Sequence, residues 1–206
     1  MAQPWADGSI HSTLFSSKKC HVKNEKLLIK LLHDDYEYYA NYKIKYTIYS
    51  DDEATIPLLF LGIGLKERKI IKINNQITKI INLDTDVENF PFLRDIDTIT
   101  EVKYVANDTL KVKREDLIFF EAKLKKGLNT IYVEYDGNLE YNTYGFLRNY
   151  KLNYSLYPSK FWTSFGPIEV SLDLGNELEI KSNNIGNPKL SNNLAKWTIN
   201  SIEKIL

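Results

Sequence analysis

Cysteine is almost absent from this chain: Cys20 stands alone among 206 residues. That excludes an internal disulfide and any CxxC redox or zinc motif. It leaves the compartment open, because exported bacterial proteins often lack disulfides. Net charge is absent too. The 27 basic and 27 acidic residues cancel, and the balance holds in both halves of the chain. Such a chain offers no electrostatic footprint for nucleic acid or for an anionic membrane surface. No apolar run approaches the roughly 18 residues of a helical membrane span. Glycine and proline are scarce, at 9 and 6, which removes the collagen-like and low-complexity classes. Histidine is limited to His11, His21 and His33. With Cys20 they match no standard zinc spacing, and they read as exposed loop residues.

Catalytic motifs are missing as well. The sequence contains no GxSxG, HExxH, Walker loop or GxGxxG. Gly62-Ile63-Gly64 is a fragment of the last, with no following helix to receive a phosphate.

What is abundant is aromatic: 14 Tyr and 9 Phe in a chain that is 43% hydrophobic. Tyr, Ile, Val and Thr favour pleated, half-buried surfaces. The pattern agrees. Tyr42, Ile44, Tyr46 and Ile48 alternate with Lys43, Lys45, Thr47 and Tyr49, the period of a half-buried strand. Leu27–Leu32 and Ile56–Leu61 predict further strands. Ile70–Ile73 and Ile77–Leu83 flank Asn74-Asn75, a pair suited to the positive φ of a tight hairpin. Strands are also expected at 99–105, 110–112, 117–124, 128–135, 146–157, 168–174, 178–181 and 197–199. Asp136-Gly137-Asn138 is expected to close its strand as a turn. Helix is expected only at 87–93 and 201–206.

Strands every 8–12 residues, separated by Gly, Asn and Asp, predict an all-β chain and an immunoglobulin-like β-sandwich. Three segments are expected: a loose N-terminal segment over 1–23, the sandwich over 24–137, and 138–206. The last either packs on the sandwich as a C-terminal β extension or forms a small second β domain. The polar stretch 138–145 reads as a linker. The N-terminal Met1–Gly8 is polar and turn-rich, and reads as a mature terminus left after a signal peptide is removed. A periplasmic, secreted or cell-surface location is the corresponding expectation, with a cytoplasmic protein as the alternative.

Site candidates are few. Asp84, Asp86 and Glu88 alternate on a loop and could offer oxygens to calcium, although no glycine follows to make an EF-hand turn. Solvated loop acids are the plainer reading, and no other cofactor is indicated. Glu134 and Glu140 could be put forward as the two carboxyls of a glycoside hydrolase, yet any acid-rich β protein offers such pairs. Tyr42 and Tyr46 share a face with isoleucines and read as sheet packing. Tyr157, Phe161, Trp162 and Phe165 form a structural aromatic cluster, with Trp162 plugging the end of the sandwich and Gly166 permitting the turn into strand 168–174.

The segment Tyr154–Val170, an aromatic strand followed by Trp162 and by Gly166-Pro167-Ile168-Glu169-Val170, resembles exported bacterial β-sandwich proteins of uncharacterised function. The similarity implies an extracytoplasmic setting and brings no catalytic residues. The resulting expectation is a non-catalytic module binding a protein or glycan at the cell envelope. The alternatives are a carbohydrate-active hydrolase and a structural part of a larger envelope protein.

Overall fold

The computed structural model describes residues 4–6, 20–35, 37–61, 64–82, 99–105, 108–113, 117–152, 154, 159 and 162–200. The described residues are nearly all β, with no α-helix among them. The strands are β1 (Pro4–Ala6), β2 (Cys20–His33), β3 (Tyr38–Ser50), β4 (Ala54–Leu61), β5 (Leu65–Ile73) and β6 (Gln76–Ile77). They continue with β7 (Ile99–Val105), β8 (Asp108–Lys113), β9 (Leu117–Leu124), β10 (Gly127–Asn138), β11 (Glu140–Tyr144) and β12 (Leu147–Lys151). The last four are β13 (Ser164–Phe165), β14 (Ile168–Asp173), β15 (Lys189–Ser191) and β16 (Leu194–Ile199).

Most of them join one large mixed sheet in the order β15-β16-β14-β2-β3-β10-β5-β6, with β13 also pairing β2. A three-stranded sheet runs β1-β4-β9, and β7-β8 and β11-β12 are separate hairpins. On one side β2 pairs antiparallel with β3; on the other it takes β13 and β14 in parallel. The parallel neighbour arrives from more than 140 residues away, and β16 then pairs antiparallel beyond it.

One face of the large sheet, the inner face, carries Leu27, Ile29, Tyr42, Ile44, Tyr46, Ile131, Val133, Ile168 and Val170, all buried. Phe60 of β4 meets Tyr46 there, with ring centroids 6.1 Å apart, and stacks on Phe120 of β9 at 6.0 Å. The buried side chains of the two sheets therefore form one continuous cluster. The outer face carries Lys26, Lys30 and Lys45 in water.

Local chemistry explains several joints. Asn74 and Asn75 have φ of 49° and 68°, both left-handed as a two-residue type I′ hairpin requires. In β2 the register to β3 slips between Val22 and Asn24. This bulge lets both Val22 and Glu25 point inward, although an odd number of steps separates them.

Five expected elements differ. The strand expected at 146–157 ends at Lys151, with Leu152 and Tyr154 outside any strand. The strand expected at 77–83 is not found over its described part, 77–82: only Gln76 and Ile77 pair, Ile77 is exposed, and Ile81 makes a single bridge to Phe119. The strand at 178–181 is absent: these residues enter no strand ladder, although Ile180 packs against the core. Asp136-Gly137-Asn138 does not turn but continues β10 against Asn41, Ala40 and Tyr39. There Asp136 finds its hydrogen bond across the strand, from Asn41 Nδ2 at 2.6 Å. The supposed linker 138–145 contains β11. The helices expected at 87–93 and 201–206 lie outside the described residues.

Candidate functional site

Several sequence candidates fall where the structure gives no account. Asp84, Asp86 and Glu88 lie outside the described residues, as do His11, Tyr157 and Phe161. Trp162 is buried at 6% exposure, while Phe165 in β13 is partly buried. Cys20 is buried beside Ser50, with Sγ 3.7 Å from the hydroxyl. Burial pushes its thiol up from its ordinary range, which opposes formation of the reactive thiolate. His21 shares a 2.9 Å hydrogen bond with Ser164, and His33 packs edge-on against Tyr38. Among the described residues no three His, Cys, Asp or Glu side chains gather around a point that could hold a metal.

Glu134 and Glu140 have different settings. Glu140 is exposed at the start of β11. Glu134 lies on the outer face, where it accepts from Arg68 at 2.7 Å and from the Tyr132 hydroxyl at 2.6 Å, with Lys43 at 3.9 Å. Its own burial would raise its pKa, but the Tyr132 hydrogen bond and the Lys43 and Arg68 charges outweigh that and hold it below the ordinary value. A carboxylate so held is an ion-pair centre.

Two further places stand out, neither singled out in the sequence. The first is interior. Glu25 of β2 is fully buried and stands opposite Tyr46 of β3 and Ile168 of β14. Tyr154 donates its hydroxyl to Glu25 Oε1, Tyr46 also hydrogen-bonds the carboxyl, and the two phenol oxygens are 3.5 Å apart. Burial pushes Glu25 up to about 8, with the phenol hydrogen bonds pulling the other way. Tyr135 sits nearby, stacked on Tyr42 at 4.9 Å, and its buried hydroxyl has no hydrogen-bond partner among the described residues. The buried indole N–H of Trp162 has none among the described residues either. The signal that could have found Glu25 is its parity with Leu27, Ile29 and Leu31.

The second is at the surface. β11 and β12 form a hairpin registered Tyr144↔Leu147 to Glu140↔Lys151. Its two-residue loop is Gly145-Phe146. Gly145 has φ of 61° and Phe146 does not share the positive φ, the pattern of a type II′ turn. This geometry stands three large apolar side chains in water: Tyr144 at 83% exposure, Phe146 at 108% and Leu147 at 62%. The base is anchored instead. Tyr150 packs edge-on against Tyr38 at 5.3 Å, and Lys181 donates to Asn149 at 3.0 Å. Arg148 lies 5.1 Å from the Tyr141 ring.

No family model matches the chain, and no curated protein does. Solved structures do resemble it. A proposed nutrient-binding protein from Legionella pneumophila aligns with a TM-score of 0.60 at 12% identity, over 88% of this chain and 63% of that one. This chain thus spans less than two thirds of that neighbour. Looser likenesses are leukotriene A4 hydrolase from Saccharomyces cerevisiae, at TM-score 0.46, 9% identity, 91% of this chain and 29% of that one, and an M1 zinc metallopeptidase from Deinococcus radiodurans, at 0.37, 11%, 94% and 41%. At such identities the Legionella likeness extends to the β fold alone.

Proposed function

We propose that this chain is a non-catalytic β-sandwich module of the cell envelope that binds a partner protein through the tip of the β11–β12 hairpin. The observation behind the reading is the exposure of Tyr144, Phe146 and Leu147 side by side on a projecting turn. Transferring such a side chain from water into an apolar site contributes about 1.5–3 kcal/mol, so the tip has affinity to give once it is covered. Anchors of this kind, large and apolar and placed on a rigid element, dominate protein interfaces. Rigidity comes from the pinned base at Tyr150 and Asn149. A sugar platform would need a flat aromatic face bordered by polar side chains, whereas Phe146 and Leu147 form an apolar point that suits a cleft.

The sandwich description rests on the shared core of the two larger sheets. The extracytoplasmic setting rests on the resemblance of the Tyr154–Val170 segment to exported bacterial proteins.

Photo-crosslinking tests the reading. A benzophenone amino acid at position 146, in the chain expressed in its native host, should give a discrete protein adduct. The same probe at exposed Lys45 on the outer face should not. Equal yields from both positions, or no adduct from 146, would refute the proposal. Binding on a glycan array that is lost in the Phe146→Ser variant would transfer the hairpin to a carbohydrate ligand.

A further inference from the structure

Zero net charge conceals a segregation of charge. Acids crowd strand ends, as at Asp34-Asp35 and Asp51-Asp52-Glu53, while lysines line the outer face of the large sheet. Side chains alternate between the two faces of a strand, so a residue flanked by buried neighbours points outward. By that rule Lys26 and Lys30 of β2, Lys43 and Lys45 of β3, Lys72 of β5 and Lys196 of β16 share the outer face.

The register sets some of these cations against each other. One row runs Glu169, Lys26, Lys45, Tyr132 and Lys72 across β14, β2, β3, β10 and β5. Lys26 and Lys45 are direct cross-strand partners in it, as are Lys189 and Lys196 at the far edge. Like charges placed so destabilise a sheet. The acids of the same face offset little of this, because each is already engaged. Glu134 is held by Arg68, Tyr132 and Lys43, and Glu169 lies 3.2 Å from Lys26. Asp136 accepts from Asn41 at 2.6 Å and Asp173 from the Gly175 N–H at 3.1 Å. Among the described residues Lys45 and Lys196 have no ion-pair partner, and Lys72 stands over the Tyr132 ring at 5.7 Å.

We propose that this outer face binds an acidic polysaccharide, laid across the strands along Lys196, Lys45 and Lys72. Charge complementarity calls for a polyanion, and the shape of the face selects its kind. Successive strands rotate by roughly 20–25°, so between β16 and β5 the face turns by on the order of 100°. A flat bilayer meets only a few of these lysines at once, whereas a flexible chain follows the twist. Neighbouring strands are about 4.8 Å apart, which sets Lys45 and Lys72 about 10 Å apart at their bases, a spacing for acid groups that recur along a sugar chain. Single-stranded nucleic acid would need bare rings for its bases. Here lysine ammoniums stand over Tyr39, Tyr49 and Tyr132, at 4.0, 5.3 and 5.7 Å from the ring centroids. The face is separate from the hairpin tip and stands whether or not the tip binds a protein.

Titration of labelled polygalacturonate with the full chain at low ionic strength tests the proposal. Binding should appear, weaken with added salt, and be absent with neutral dextran. The triple variant Lys45→Gln, Lys72→Gln, Lys196→Gln should weaken it by about tenfold or more and flatten the salt dependence. A control triple of equal net charge, Lys123→Gln, Lys125→Gln, Lys126→Gln around the end of β9, should bind like the parent. No binding by the parent, or equal loss from both triples, would overturn the proposal. Phe146→Ser should bind polygalacturonate unchanged, and a loss there would overturn the placement on this face. Should the first triple fail to fold, lysine acetylation of the unmodified protein decides. Bound polygalacturonate should slow the reaction at Lys45, Lys72 and Lys196 and spare Lys125 and Lys126; uniform protection, or none, would overturn the proposal. Tighter binding to oligodeoxythymidylate or to anionic vesicles, lost in the same triple, would overturn the polysaccharide assignment and transfer the face to that ligand.

Discussion

Replacing Gly166 by alanine tests how β13 and β14 are seated on β2. A Cβ at Gly166 would lie 1.9 Å from the carbonyl oxygen of Lys23 and 2.6 Å from its carbonyl carbon. Ordinary contacts begin near 3.4 Å, so the backbones must part by more than an ångström. Both groups belong to backbone, and no side chain can rotate aside. Two hydrogen bonds cross this point: Gly166 N–H to Val22 O at 2.8 Å, and Glu25 N–H to Pro167 O at 3.0 Å. Each contributes about 0.5–1.5 kcal/mol net, and a buried group left without a partner costs about 1–3 kcal/mol. Losing both, with some rescue by water, gives a destabilisation of about 3–5 kcal/mol. Urea unfolding followed by tryptophan fluorescence measures it, and amide exchange at Glu25 locates it. A Gly166→Ala protein within about 1 kcal/mol of the parent, with the Glu25 amide still protected, would refute the reasoning.

Other perturbations have distinct signs. Trp162→Ala should cost about 3–5 kcal/mol by chemical denaturation, the range for truncating a buried aromatic. Trp162→Phe should be much milder, since it retains a ring and removes an indole N–H that has no partner among the described residues. Ser substitutions at Tyr144, Phe146 and Leu147 should each change stability by less than about 0.5 kcal/mol, because these side chains are already in water. Glu134→Gln should lower stability by about 1 kcal/mol at pH 7, a modest figure because Arg68 and Lys43 are substantially exposed. Glu134 is held below its ordinary 4.5, so its contribution is present above that pH and fades as acid protonates it; the difference between parent and variant should shrink in titrations below pH 4.5. Asn75→Gly should be neutral or slightly stabilising, because φ is 68° there. Asn74→Ala should destabilise measurably, since the Asn74 side chain accepts from Thr130 N–H at 2.9 Å and donates to Asn129 at 2.9 Å.

The sequence by itself determined what depends on near neighbours along the chain. Period-two alternation placed Tyr42, Ile44, Tyr46 and Ile48 together on a buried face, and the side-by-side asparagines at 74 and 75 specified a turn that needs left-handed backbone. The all-β character follows from such local preferences repeated along the chain. Where local preference was ambiguous, reading failed. Asp136-Gly137-Asn138 has turn chemistry, but cross-strand pairing to Asn41, Ala40 and Tyr39 recruits it into β10. The 138–145 stretch is polar enough for a linker, but Gly145 folds it back as a hairpin and leaves Phe146 in water.

The site residues show the same division more sharply. Glu25 has the parity of Leu27 and Ile29, but Leu28 and Leu32 make the opposite face of that strand nearly as apolar in sequence. Only the seating of β3, β14 and the three-stranded sheet decides which face is closed. Tyr154 meets Glu25 across 129 residues, and Gly166 meets Lys23 across a similar distance. Contacts of that kind leave no periodic trace in the chain, because they depend on which strands become neighbours, and strand order is fixed by the packing of the whole sheet.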